Sequence, residues 1–250
     1  HETGHAVLDA IAPDLYDAVT PQSLAMHEAI ADLVALHAAL RYPPLSNRIL
    51  SDTKGDLQAE STTAFTVIGE ELGEAIQKKY VRNLAERWGL PGARGAKIVE
   101  TTKPHDLSLV LSGALYNVLL HEYATAKKKL AKDPHPTYAK LLEKFKGAKK
   151  DDAVWRTALF LATERFKRFV FRALDYLPPG ESTFVDFARA LLAADEASHV
   201  DSAAGRERLR TEFVARGIAA NRAELDVSPC DPALARGIDL AELVESDWVA

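Results

Sequence analysis

The chain has 250 residues, 47% hydrophobic and 27% charged, ordinary for a globular protein of one large domain or two small ones. A net charge of −5 argues against a general nucleic-acid binder, and no uninterrupted apolar run approaches the roughly 18 residues that span a membrane. Cys230 is the only cysteine, so neither an intrachain disulfide nor a cysteine-based zinc site can form.

The elements read as helix after helix. The first covers 1–12, with Val7, Leu8 and Ile11 on an apolar face and Pro13 ending it. It begins His1-Glu2-Thr3-Gly4-His5. Residues four apart share one helix face, so His1 and His5 can present two imidazoles to a single zinc ion. Glu2 then lies beside them to take a proton from a metal-activated water. Asp9, one turn past His5, can brace the site or its helix. Thr20-Pro21 is an N-cap followed by proline at the first helical position, and that helix runs to about Arg41. A catalytic zinc usually has three protein ligands and one open position. Glu28 offers the third ligand, and Asp32, one turn later, can orient a ligand imidazole. His27 points about 100° away from Glu28 on the helix and is not assigned to the metal.

Tyr42-Pro43-Pro44 closes this helix, and a polar stretch follows from Ser46 to Ser61. A long helical pattern covers 64–88 and ends at Gly89-Leu90-Pro91-Gly92; Ala96–Glu100 is a weak strand candidate. Further helices are expected over 105–132, roughly 137–146, 152–177, 184–196 and 203–216, with Ser182 or Thr183 capping the fourth of these. The stretch 127–150 holds nine lysines against Asp133 and Glu143 alone. It reads as a solvated face whose lysine stems cover apolar surface.

The opening residues resemble the thermolysin-like gluzincin metallopeptidases. The likeness starts with His1-Glu2-Thr3-Gly4-His5-Ala6-Val7-Leu8-Asp9. It continues to Tyr16, eleven residues after the second histidine, where the family keeps a tyrosine that hydrogen-bonds the reacting oxyanion. Glu28 and Asp32 match the family's Glu-x-x-x-Asp, after a gap slightly longer than in thermolysin. Ser112-Gly113-Ala114-Leu115 is similar to its Ser-Gly-bearing helix, and Phe213–Ile218 to its closing helix. The resemblance covers roughly residues 1–220, the helical zinc-peptidase subdomain, with 221–250 as a C-terminal extension. It implies a mainly α, multi-helix C-terminal subdomain. The family's β-rich N-terminal subdomain, absent from this chain, is expected as its partner within a longer protein.

Two departures matter. The family's oxyanion histidine sits three residues before the Ser-Gly serine in thermolysin; that position is Leu109 here. His105, two helical turns before Ser112, takes that role in this reading, since Pro104 favours a helix start there. The family's calcium clusters have no counterpart. His37, His121, His135 and His199 are not assigned to zinc. The expected function is zinc-dependent hydrolysis of peptide or protein substrates. His1, His5 and Glu28 serve as ligands, Glu2 as general base, and Tyr16 and His105 as oxyanion donors; isolated, the chain is expected to be a poor enzyme. The alternative is a non-catalytic helical interaction or structural domain that retains the motif.

Overall fold

Prolines and capping side chains set the helix limits. In the computed structural model, which describes residues 1–57, 67–68, 82–132, 135–147, 151–199 and 202–227, the chain is mostly helical, with little strand. Helix α1 (Glu2–Ile11) is followed by one turn, α2 (Asp14–Asp17), and then by α3 (Pro21–Arg41). Thr20 accepts the Ser23 amide at its side chain, and Pro21 fills the first turn of α3, as the sequence pattern suggested. α4 (Pro43–Asp52), α5 (Pro104–Lys132), α6 (Ala139–Lys144), α7 (Asp152–Arg172), α8 (Phe184–Ser198) and α9 (Ala203–Ala215) complete the helices. Thr183 caps α8 in a reciprocal box with Asp186: the Asp186 amide donates to the Thr183 side chain, and the Thr183 amide to the Asp186 carboxylate.

Three expectations change. The polar stretch after residue 46 belongs in part to α4. Tyr42-Pro43-Pro44 ends α3 and opens α4, because proline is accepted in a first turn and excluded from a helix interior. Ile49 and Leu50 face the core, while Arg48 and Asp52 pair on the outside. The helix expected over 64–88 is replaced at its described positions by short strands and a turn. β1 (Val67–Ile68) pairs antiparallel with β2 (Arg82–Asn83), and β3 (Trp88–Gly89) pairs parallel with β4 (Lys97–Ile98). Thr66-Val67-Ile68 is a β-branched run that favours extended backbone, and Gly92 and Gly95 take positive φ in the loop joining β3 to β4. Residues 64–66 and 69–81 lie outside the described residues. On α1 only Gly4 and Leu8 are buried; Val7 and Ile11 are exposed.

α3, α5 and α7 form the centre. α3 buries residues around most of its circumference, including Ala25, Met26, Ile30, Leu33 and Leu36, and carries buried Ser23, His27 and Asp32 among them. Among the described helices it alone is long and apolar enough to cross a membrane by composition, with 61% of its most apolar window buried in the protein. Its apolar stretch is interrupted by Glu28 and Asp32. Leu225 packs in the core beyond α9, and residues 228–250, with Cys230, lie outside the described residues. On the lysine-rich face, Lys127 donates to Gly55 O and lies over the Tyr123 ring, and Lys144 lies over Phe145.

Arg216 ties the end of α9 to the centre. Its side chain is fully buried and donates to Glu212 Oε1 at 2.7 Å, Trp88 O at 2.9 Å and Gly113 O at 3.0 Å. Burial lowers its pKa, and Glu212 opposes that shift. Gly113 makes the approach possible, since a Cβ there would stand 3.0 Å from Arg216 Nη1. Replacing Arg216 with alanine removes the buried donor shared by Glu212, Trp88 O and Gly113 O and leaves the carboxylate with Asn117 as a partner. The expected loss is about 3–5 kcal/mol of unfolding free energy, read from urea denaturation. A loss below about 1 kcal/mol would show that water replaces the guanidinium without cost.

Candidate metal centre

Backbone meets backbone where α1 crosses α3. A Cβ added to Gly4 would stand 2.7 Å from Ala31 Cα and 3.0 Å from Ala31 O. The absent side chain lets α1 settle onto α3 with His1 and His5 facing His27, Glu28 and Asp32. The His1 carbonyl accepts the Gly4 and His5 amides, which fixes the first turn and the i, i+4 spacing of the two rings.

The donors converge. His1 Nε2 lies 3.1 Å from His5 Nε2 and 3.4 Å from Glu28 Oε2; His5 Nε2 lies 3.7 Å from Glu28 Oε1. These three residues are the one metal-competent His/Cys/Asp/Glu group among the described residues. The far nitrogens are also engaged. His1 Nδ1 lies 2.8 Å from Asp32 Oδ1, an ion-pair distance, and the Asp32 side chain is 0% exposed. His5 Nδ1 meets His27 Nδ1 at 2.7 Å, and His27 Nε2 reaches Asp9 Oδ1 at 2.8 Å.

Proton placement follows from these partners. A carboxylate only accepts, so His27 carries its proton on Nε2 and accepts at Nδ1. His5 must then donate from Nδ1. His1 Nδ1 faces the Asp32 carboxylate, which favours the His1 proton on that nitrogen. In the neutral rings both Nε2 lone pairs face each other and the Glu28 carboxylate. Two lone pairs and an anion at such distances repel unless a cation or protons lie between them. Zinc bonds of about 2.0–2.2 Å place tetrahedral donor atoms roughly 3.3–3.5 Å apart. The 3.1 Å between the two Nε2 atoms and the 3.4 Å from His1 Nε2 to Glu28 Oε2 lie close to that separation, with Glu28 Oε1 3.7 Å from His5 Nε2. The donor set therefore fits a zinc ion.

Burial and neighbouring groups shift two members of the cluster. Burial acts to raise the Glu28 pKa, but with protonated histidines around it the contacts of His1, His105 and His5 outweigh burial and hold the carboxyl at about 2. His5 is lowered, first by burial and then by His1 and His27, against the opposing pull of Glu28 and Glu2.

His105, in the first turn of α5, places Nδ1 2.7 Å from Glu28 Oε2 while its side chain stays 67% exposed. It thus stands at the open side of the cluster. Ser108 donates to His105 O and Ser112 to Ser108 O, along one face of α5. Glu2 is exposed on the first turn of α1. Tyr16 lies in α2, and its side chain is outside the described part of the structure. The other histidines lie apart: His37 edge-on to Phe171, His121 against Thr125, His135 in its proline-flanked turn and His199 beside Asp195. The link from His5 through His27 to Asp9 was not drawn from the sequence. Its signals were the i, i+4 spacing of His5 and Asp9 and the histidine next to Glu28, which α3 turns towards α1. No protein-family model, curated protein or solved structure matches the chain.

Gly4→Ala tests the helix contact. In a free helix the change would gain about 1 kcal/mol. Here the added methyl strikes backbone that has no rotamer to yield, and overpacking costs about 1–3 kcal/mol. Net destabilisation in urea melts is expected for Gly4→Ala and near neutrality for Thr3→Ala, an exposed neighbour. A stabilised Gly4→Ala would show that α1 is not seated on α3 at this distance.

Proposed function

We propose that this chain carries the zinc centre of a peptidase related to the thermolysin-like gluzincins, acting on peptide or protein substrates. The observation that supports the reading most is the convergence of His1 Nε2, His5 Nε2 and Glu28, with both imidazoles held from behind in the tautomer that frees Nε2. Chance occurrence of His-x-x-x-His on a helix does not require Asp32 and His27 to occupy the opposite nitrogens. The finer assignment to a thermolysin-like subdomain is part of this proposal and rests on the motif resemblance.

Zinc held by His1, His5 and Glu28 would supply Lewis acidity, activating a water and polarising the scissile carbonyl. The chain's own residues do the rest. Glu2, next to His1 and open to solvent, accepts the proton of the attacking water and returns it to the leaving amine. Its carboxylate stays outside the ligand set, as a base must. His105 donates a hydrogen bond to the oxygen that becomes negative in the tetrahedral state, from the exposed side of the cluster; Tyr16 is the second donor in this reading. Asp32 keeps the His1 ring from turning.

The decisive pair of measurements is zinc content and hydrolysis of an unstructured protein. Glu2→Gln should retain one zinc per chain and lose at least the 10²–10⁴-fold typical of general acid–base catalysis, because the amide cannot take the proton. Near-normal turnover would end the mechanism. A chain that holds zinc but hydrolyses nothing, in the full-length protein, would favour the non-catalytic interaction domain instead.

His105→Ala should lower kcat with little change in KM. The expected cost is about 2.7–4 kcal/mol of transition-state stabilisation, since the bond forms mainly to charge that develops during reaction. A pure KM effect would make His105 a substrate-binding residue and not an oxyanion donor.

A further inference from the structure

The two histidines of the cluster are braced differently. Behind His1 stands a buried carboxylate in direct contact; behind His5 stands a second imidazole, and behind that an aspartate whose side chain is 49% exposed. The His5 and His27 ring planes are 12° apart, their centroids 4.7 Å and their Nδ1 atoms 2.7 Å apart. Stacked faces cannot bring nitrogens that close, so the rings meet edge to edge as donor and acceptor.

Asp9 is the informative residue. It sits in the last turn of α1, where the helix dipole disfavours a negative charge, and aspartate is a poor helix former. Local helix energetics thus argue against this residue at this position. Its partner explains it: Asp9 Oδ1 accepts from His27 Nε2 at 2.8 Å, and His27 is 7% exposed at the α1–α3 contact.

We infer that Asp9 and His27 are positioning residues for the metal centre: the carboxylate sets the His27 tautomer, and His27 in turn holds the His5 ring with Nε2 presented to the metal. This rests on the reading of His1, His5 and Glu28 as a zinc site. The consequence is directional. Each imidazole passes its proton assignment inward, so a group near the surface of α1 determines which nitrogen of His5 is bare. Asp32 does the same for His1 in one step.

The experiment is a double-mutant cycle on the full-length protein, read by chelator-competition zinc affinity at one fixed pH and by the visible spectrum of the cobalt(II)-substituted protein. His27→Ala is expected to weaken zinc binding 10–100-fold, the range for lost outer partners of a ligand histidine. Asp9→Ala should weaken it several-fold and shift the cobalt bands; in urea the lost contact between α1 and α3 is offset in part by the improved helix end. His27→Asn keeps an amide oxygen that can accept from His5 Nδ1–H, but it lacks the reach to Asp9. It should bind zinc more tightly than His27→Ala, and Asp9→Ala added to it should change nothing further. The inference is overturned if zinc affinity in Asp9→Ala stays within twofold of wild type, or if the two substitutions are additive. Should His27→Ala fail to fold, Asp9→Ala and His27→Asn still decide the matter. Wild-type protein that takes up no zinc, or a Glu28→Ala variant that binds it equally well, overturns the metal reading itself and this inference with it.

Discussion

The spacing between α1 and α3 is the constraint on which the candidate site depends. It is set by Gly4 against Ala31, a contact with no side chain on one side and a methyl on the other. Little else holds α1 down: Leu8 is its one large buried side chain, while Val7 and Ile11 are exposed. The polar contacts across the same line, His1 to Asp32 and His27 to Asp9, therefore serve two purposes. They orient the rings, and they fasten a helix whose apolar anchoring is slight. Site geometry and helix docking are here the same set of interactions. A substitution that disturbs one is felt in the other.

Burial of charge follows a consistent rule. Asp32 is fully buried on α3, and the imidazole of His1, 2.8 Å away, is a partner that offsets the cost of that placement. Glu28 is only partly buried and is held ionised by the surrounding histidines. Asp9 is half exposed and needs less compensation. The acids thus grade from interior to surface across the cluster, and the groups that would hold a metal occupy the middle of that gradient. Arg216 obeys the same logic at the other end of the molecule. Its buried guanidinium is met by one carboxylate and two carbonyls, which joins α9, α5 and β3.

Local signals made much of this legible. Proline, glycine and capping residues announced α3, α5, α7, α8 and α9 to within a few residues, because those signals act within one turn of the boundary they set. The approach of His1, His5 and Glu28 was legible through i, i+4 spacing on one helix and a matched pattern on the next. The polar composition after Ser46 concealed α4, since a helix on the surface needs only a narrow apolar stripe, here Ile49 and Leu50. The apparent helical period over 64–88 competed with β-branched residues, and strand pairing prevailed at the described positions. The partners of Arg216 and the pairing of Asp9 with His27 are tertiary, joining residues on different elements. No periodicity records such meetings.

α3 supplies both the scaffold and the chemistry. Its packing against α1, α5 and α7 leaves Glu28 and Asp32 on a backbone that cannot shift without disturbing the core. α1 has no such enclosure. The rigid helix therefore provides the candidate carboxylate ligand and the residue facing His1 from behind, and the lightly held helix provides the two imidazoles. An arrangement of that kind would be imprecise if the rings were free to turn. Each is instead locked at its far nitrogen by a residue of α3, Asp32 for His1 and His27 for His5. The precision of the cluster comes from α3 on both counts, so core substitutions that displace α3 should reach the site even when they lie far from any donor atom.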